Sequence, residues 1–409
     1  MPGRRGVAVL LAVATFASPA AMGSAPAAAL SAGRPRSGAA SRPPSGQVGQ
    51  PPSGSADAIQ GGAQLAGTGV VVNDISSATP RLPKVPASAW VVANAQTGQV
   101  LAARDAHGWF RPASTLKVLT AVSLIPVLNP DATTVASRRA ADTEPSDAGL
   151  VAGRSYRIDN LFTALLTISA NDAAVALAQA TGSFSKGMAL INAEAHKLQA
   201  DDTVARQPNG LDAPGQHTSA YDEALIARYA LTVPAFLHYD RTRVKRFEDK
   251  PRHWVTLVNQ NLMLTSYRGD IGGKIGWTTA AGATYMGMAE RNGTTLIVTL
   301  LHCRPLTEFT YASRLLNWGF AANGQVKPVG TLVSPLPAHT AAKPKPRVTK
   351  AAPRHPATAA RPSSYGPAAV GVGFLLLASL VVTGFVIWYR RPAAASTRGS
   401  RRGSASLRD

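Results

Sequence analysis

Residues 368–389 form a run of 22 residues without one charged side chain, and Arg390 and Arg391 follow at once. A helix of that length reaches about 30 Å, the depth of a bilayer's hydrocarbon core. Trp388 and Tyr389 close the run, where interfacial aromatics belong, and Arg398, Arg401, Arg402 and Arg408 lie beyond. Positive residues mark the cytoplasmic flank of a span. The pattern predicts one C-terminal transmembrane helix, residues 368–389, a basic cytoplasmic tail, 390–409, and the bulk of the chain on the extracellular face of the cell membrane. The other end fits that topology. Arg4 and Arg5 precede an apolar stretch, 6–16, and then small residues to 29, the arrangement of a secretory signal peptide. Cleavage after Ala21 and cleavage near Ala29 fit the sequence equally.

Charge divides the chain in the same way. The formal net charge is +20, yet residues 81–330 hold 25 Lys and Arg against 19 Asp and Glu, while the remainder holds 17 against 3. The excess therefore sits in the tails, and no nucleic-acid-binding motif accompanies it, so no nucleic acid partner is expected. Residues 30–82 are rich in Ala, Ser, Pro and Gly and predict a disordered linker, with residues 69–72 as a short edge strand. Residues 324–367, rich in proline with scattered Lys and Arg, predict an extended stalk. Arg241, Arg243, Lys245 and Arg246 form a basic cluster read as a solvated face. The single cysteine, Cys303, excludes an internal disulfide framework and reads as a structural thiol. The 8 histidines show no metal-ligand spacing; neither a metal nor another cofactor is expected, and His217 is expected to order its loop.

Residues 83–323 remain as one globular domain. Apolar runs at 89–93 and 99–103 flank a polar stretch and predict a hairpin. Residues 115–125 read as a helix stopped by Pro126. Asp159 and Asn160 are expected to cap a helix over 161–168, with further helices over 172–180, 221–230 and 307–318. Residues 272–301 read as strand, turn and strand, with a second turn at Arg291-Asn292-Gly293. Strands at both ends and helices between them predict an α+β fold around an antiparallel sheet.

Three short segments carry chemistry. Ser114-Thr115-Leu116-Lys117 opens the first helix. Positions i and i+3 share a helix face, so the hydroxyl and the amine can meet. Serine needs an adjacent base to act as a nucleophile, and lysine becomes one when burial lowers its pKa. Alone, the pattern equally describes a surface helix cap. Ser169-Ala170-Asn171 lies between two helices. It can present a hydroxyl and an amide to one cleft, or simply cap the following helix. Lys274-Ile275-Gly276-Trp277-Thr278 lies on an expected strand edge. Lys274 can anchor an anion and Gly276 lets a ligand approach the backbone, or the segment is an ordinary glycine-rich edge strand. Trp277 either shapes the cleft wall or packs.

Taken in this order, the three segments resemble the Ser-x-x-Lys, Ser-x-Asn and Lys-Thr-Gly signature of penicillin-binding proteins and serine β-lactamases. The likeness extends to residues 92–101, 112–121, 207–220, 259–261 and 280–282, and there it resembles the D-alanyl-D-alanine carboxypeptidase family in particular. It spans roughly residues 85–322. The resemblance implies a penicillin-binding/serine β-lactamase-like α+β domain, with an antiparallel sheet and a helical cluster, that removes the terminal D-Ala of peptidoglycan stem pentapeptides. β-Lactams would be covalent inhibitors. It also implies the roles: Ser114 as acylated nucleophile, Lys117 as base, Ser169 and Asn171 relaying a proton and positioning substrate. Lys274 would bind the terminal carboxylate, with Gly276, Trp277 and Thr278 lining the substrate strand, and the backbone N–H groups of Ser114 and Trp277 would form the oxyanion hole. One position departs from the pattern. The family carries a hydroxyl after the motif lysine, and this chain carries Ile275, which cannot donate to a substrate carboxylate; Thr278 or Thr279 would have to. A catalytically weak penicillin-binding, wall-binding protein and a DD-endopeptidase or transpeptidase are the alternatives.

Overall fold

The computed structural model describes residues 46–50, 59–74 and 79–337. The expected signal peptide, span and cytoplasmic tail lie outside the described residues, as does most of the stalk. Among the described residues no helix is long and apolar enough to cross a membrane.

The central sheet is antiparallel throughout. Its strands, in spatial order, are β10 (Asp270–Thr278), β11 (Gly282–Arg291), β12 (Thr294–Cys303), β3 (Ala89–Asn94), β4 (Gln99–Arg104), β2 (Val70–Asp74) and β13 (Val326–Lys327), with β14 (Gly330–Thr331) also pairing β4. Side chains alternate between faces along a strand, and both faces are covered. Ala89, Val91 and Ala93 of β3 and Ile297 and Leu301 of β12 enter one core with α1 (Leu116–Leu124), α3 (Ile158–Thr167), α4 (Asn171–Ala180), α5 (Phe184–Lys197) and α6 (Ala220–Ala230). Trp90 and Val92 of β3 and Val298 and Leu300 of β12 face the other way, onto Ala312, Leu315 and Leu316 of α9 (Glu308–Ala322). Three layers result: a helical cluster, the sheet, and one long helix. Each fully buried Val or Leu contributes about 1.5–3 kcal/mol, which is why the central strands are apolar on both sides.

The expected hairpins are present. Asn292 and Gly293 take φ of 50° and 77° between β11 and β12, the left-handed pair that a two-residue hairpin turn requires. Three expectations are corrected. Helix α3 begins at Ile158, before Asp159, which lies in its first turn, and no side chain caps it. Part of the segment expected as disordered linker is woven into the sheet: Val70–Val72 pairs with β4 on one side and Val326–Lys327 with Asn73 and Asp74 on the other, so β2 is not an edge. The fold likewise runs past 323, with Val329 and Leu332 buried. Helix α5, which the periodicity did not announce, starts at a Ser183 hydroxyl that accepts from the Lys186 N–H.

The smaller elements stand outside the central sheet. β1 (Gln47–Gly49) pairs β5 (Trp109–Phe110), β6 (Thr133–Val135) pairs β7 (Ser155–Arg157), and β8 (Val244–Lys250) pairs β9 (His253–Val258). Helix α2 (Arg138–Ala141) precedes the loop to β7, while α7 (Pro234–Asp240) and α8 (Met263–Ser266) flank the β8–β9 hairpin.

Candidate active site

Residues 113–115 form a single 3-10 turn ahead of α1, packed against β10. Ala113 takes φ of 50° there, a conformation costly for a residue with a side chain and one that the surroundings must hold. Thr284 Oγ1 on β11 donates to the Pro112 carbonyl at 2.9 Å and Thr115 Oγ1 donates to the same oxygen at 2.7 Å. The turn leaves Ser114 partly exposed while Lys117, one helical turn on, is fully buried. Lys117 Nζ lies 2.7 Å from Ser114 Oγ, 2.6 Å from Asn171 Oδ1 and 2.7 Å from the Asn209 carbonyl oxygen. Burial holds the Lys117 pKa well below the ordinary lysine value, the nearby Lys274 charge lowers it further, and Asp172 opposes both.

A neutral amine has two hydrogens and one lone pair. With Asn171 and Asn209 offering two oxygens that can only accept, the two N–H bonds are taken and the lone pair is left to the Ser114 hydroxyl. Ser114, Lys117 and Asn171 thus meet at one amine. Asn171 is held from behind, its Nδ2 donating to the Glu144 carbonyl at 2.8 Å; it caps no helix, because the N-cap position of α4 is Ala170, without a side-chain bond. Ser169 is buried beside it with φ of 62°, but its hydroxyl makes no hydrogen bond among the described residues.

Lys274 and Gly276 lie on β10, which packs against the Ser114 turn. Lys274 is buried, its ammonium donating to the Ile275 carbonyl at 2.7 Å. Burial lowers its pKa to about 7, against the opposing charge of Asp240. Asp240, itself pushed up to about 7 by burial, accepts the Gly273 N–H at 2.7 Å. A Cβ at Gly276 would stand 2.6 Å from the Ser114 backbone nitrogen; only glycine permits this approach. Ile275 points to the opposite face and packs against the core beneath α9. Trp277 is 48% exposed. Thr278 Oγ1 accepts the Ala281 N–H at 2.9 Å, which leaves its own proton available to a ligand.

Asn209 and Asp240 were missed as site residues. The segment Pro208-Asn209-Gly210-Leu211 held the signal: Gly210, at φ of 81°, packs against the Ala113 carbonyl where no Cβ fits, bringing the Asn209 carbonyl to Lys117. Other groups are structural. Cys303 closes β12, its thiol donates to the Ala283 carbonyl, and burial pushes its pKa to about 12. His217 stacks on Trp109 with ring centroids 4.3 Å apart. Arg241 and Arg243 of the basic cluster donate to the Ile271 and Leu264 carbonyls. Among the described residues, no group of three or more His, Cys, Asp or Glu is placed to hold a metal ion.

A partly exposed serine with a buried, deprotonatable lysine at i+3, on a three-layer antiparallel sheet with a second lysine on its edge strand, defines a serine acyl-transfer enzyme of the penicillin-binding and β-lactamase fold. Residues 76–304 match the model of the S11 peptidase family, D-alanyl-D-alanine carboxypeptidase, and the chain belongs to that family of serine hydrolases. It is 37% identical over 257 residues to the D-alanyl-D-alanine carboxypeptidase DacB2 of Mycobacterium tuberculosis, covering 61% of this chain and 88% of the relative. The crystal structure of a D-alanyl-D-alanine carboxypeptidase from M. tuberculosis superposes with a TM-score of 0.60 at 36% identity, covering 64% of this chain and 100% of the other. The Streptomyces K15 DD-transpeptidase superposes with a TM-score of 0.56 at 25% identity, covering 59% and 100%.

Proposed function

We propose that this enzyme removes the terminal D-Ala from peptidoglycan stem pentapeptides through an acyl-enzyme on Ser114. The observation that carries the reading is the buried Lys117 amine, 2.7 Å from Ser114 Oγ with its hydrogens held by Asn171 and Asn209. Neutral Lys117 takes the Ser114 proton as Oγ attacks the penultimate D-Ala carbonyl. Charge develops on the carbonyl oxygen, and the N–H groups of Ser114, which Gly276 approaches, and of Trp277, the next residue on β10, are the donors proposed to receive it. Lys274, as ammonium, binds the terminal carboxylate. Collapse expels D-Ala, whose amine takes a proton from Lys117, with Ser169 as the proposed relay. Water then attacks the ester, Lys117 again accepting the proton and returning it to the departing Ser114 Oγ, and the shortened stem leaves. A β-lactam acylates the same hydroxyl. Transpeptidation would differ only in the acceptor.

We further propose that the domain works outside the cell, exported by the N-terminal signal peptide and held by the span at 368–389. The uncharged run and the arginines after it support this topology. The test of function uses the purified full-length protein and a peptide ending in D-Ala-D-Ala, with Ser114→Ala as control. D-Alanine release that disappears in the control is the expected result. A folded, penicillin-labelled protein that releases none would instead favour the catalytically weak wall-binding alternative, which Ile275 motivates.

A further inference from the structure

Directly beneath the nucleophile turn lies a carboxyl group that the mechanism does not use. Glu223 on α6 is 2% exposed; its Oε1 is hydrogen-bonded to Thr115 Oγ1, and its Oε2 is buried with no hydrogen-bond partner. Helix α6 packs against α1, β3, β11 and β12. The charged or titratable side chains on those elements, apart from the buried Tyr285 and Cys303, are Lys117, Glu290, Arg291 and His302. Lys117 is engaged by Ser114, Asn171 and Asn209, Glu290 and Arg291 lie at the far end of β11, and His302 faces the Ala281 carbonyl. On α6 itself Asp222 accepts from Thr203, Arg228 donates to the Ala95 and Leu332 carbonyls, Tyr221 donates to the Thr331 carbonyl and Tyr229 accepts from Lys197, and none of these groups pairs with Glu223. A carboxylate buried without a counter-charge is unfavourable, and the group keeps its proton instead.

The protons on this turn can be counted. Thr115 has one hydroxyl hydrogen and two neighbours within bonding distance, the Pro112 carbonyl at 2.7 Å and Glu223. Pro112 offers only acceptor sites. When Thr115 donates to Pro112, the Glu223 contact is a hydrogen bond only if Glu223 supplies the hydrogen. A directed chain follows: Glu223 O–H to Thr115 Oγ1, then Thr115 O–H to the Pro112 carbonyl, which ends at the turn carrying Ala113 and Ser114. We propose that protonated Glu223 is a positioning residue for acylation, holding the nucleophile turn in its strained conformation through Thr115 and Pro112. The inference rests on the reading of Ser114 as nucleophile. Ionised Glu223 becomes an acceptor and claims the Thr115 hydrogen, so Pro112 keeps only the bond from Thr284 and the turn is held less firmly. Burial raises the Glu223 pKa to about 8, the Thr115 bond opposing the shift, which places this release just above neutral pH.

The test measures the limiting rate of Ser114 acylation by a fluorescent penicillin, at saturation, from pH 6 to 9.5, with the full-length protein. Saturation removes the effect of Lys274 on affinity. The wild type is expected to lose acylation rate through pH 8. Glu223→Gln, whose amide donates at every pH, is expected to lose that alkaline fall. Glu223→Leu and Thr115→Val should each slow acylation about tenfold at pH 7, the loss of one ordinary hydrogen bond. The double variant should be no slower than either single one, because one chain is cut twice. An alkaline fall that persists in Glu223→Gln, or additive losses in the double variant, would overturn the inference. Should Glu223→Leu not fold, the Gln profile decides alone. A wild type that penicillin does not label on Ser114 would overturn the functional reading and this inference with it, whereas normal labelling with identical pH profiles would overturn this inference only.

Discussion

Replacing Gly276 with alanine places one methyl group at the centre of the acyl-transfer geometry. Built on the backbone as it stands, the new Cβ lies 2.6 Å from the Ser114 nitrogen and 3.0 Å from Ala113 Cβ, and it also meets Thr284 Oγ1. A carbon needs roughly 3.4–3.5 Å from such atoms, so the nucleophile turn or β10 must retreat by most of an ångström. Neither moves freely: the turn is tied to β11 through Thr284 and Pro112, and β10 is paired along its length with β11. The retreat draws the Ser114 N–H away from the proposed oxyanion position. Loss of one such donor costs about 2.7–4 kcal/mol in the transition state, or a 10²–10³-fold slower reaction. The overpacking itself should cost about 1–3 kcal/mol of stability, which a domain of this size can absorb. Stopped-flow acylation by a chromogenic cephalosporin, beside a thermal melt, reads both effects. A folded Gly276→Ala protein that acylates within about tenfold of the wild type would refute the assignment of that N–H to the oxyanion hole.

Three further outcomes follow from buried charge. Because burial places the Lys274 pKa at about 7, its ammonium is present below that pH and lost above it; kcat/KM for a peptide ending in a free carboxylate should fall about tenfold per pH unit well above 7. Asp240→Asn, removing the charge that supports Lys274, should move that fall to lower pH, and an unmoved profile would exclude the coupling. For stability, Glu223 has a raised carboxyl pKa, from 4.5 to about 8. The folded form holds a proton that the unfolded chain releases, so the penalty is absent below pH 4.5, grows by ~1.4 kcal/mol per pH unit, and levels off above 8. Glu223→Gln should therefore be more stable than the wild type by on the order of 3 kcal/mol at pH 7 and little different at pH 4, measured by urea unfolding. A gap that does not vary with pH would contradict a protonated, buried Glu223.

Much of this molecule was legible from local pattern. The apolar runs of β3, β4 and β12 and the Asn-Gly turn at 292–293 define strands by neighbours only a few residues apart, and the Ser114–Lys117 spacing places hydroxyl and amine on one helix face whatever surrounds them. Where sequence reading failed, the deciding contacts were distant. Gly69–Val72 looks like a linker strand because the residues that flank it in the sheet, β4 and β13, lie about 30 and 255 positions along the chain. The start of α3 escaped because Asp159 resembles a cap but sits inside the first turn.

The sequence by itself determined which chemical groups are present and in what order: a hydroxyl with an amine three residues on, an amide 57 positions after the hydroxyl, and a second lysine on a glycine-bearing strand. Only the tertiary structure decided what those groups can do. Asn209 reaches Lys117 from 92 positions away, and the packing of α4, the 208–211 loop and β10 around one amine excludes the water that would keep it charged. Asp240 and Glu223, unremarkable in sequence, acquire their influence the same way. Desolvation depends on every segment that closes around a group, so the base strength of Lys117, the charge of Lys274 and the proton on Glu223 exist only once the chain has folded.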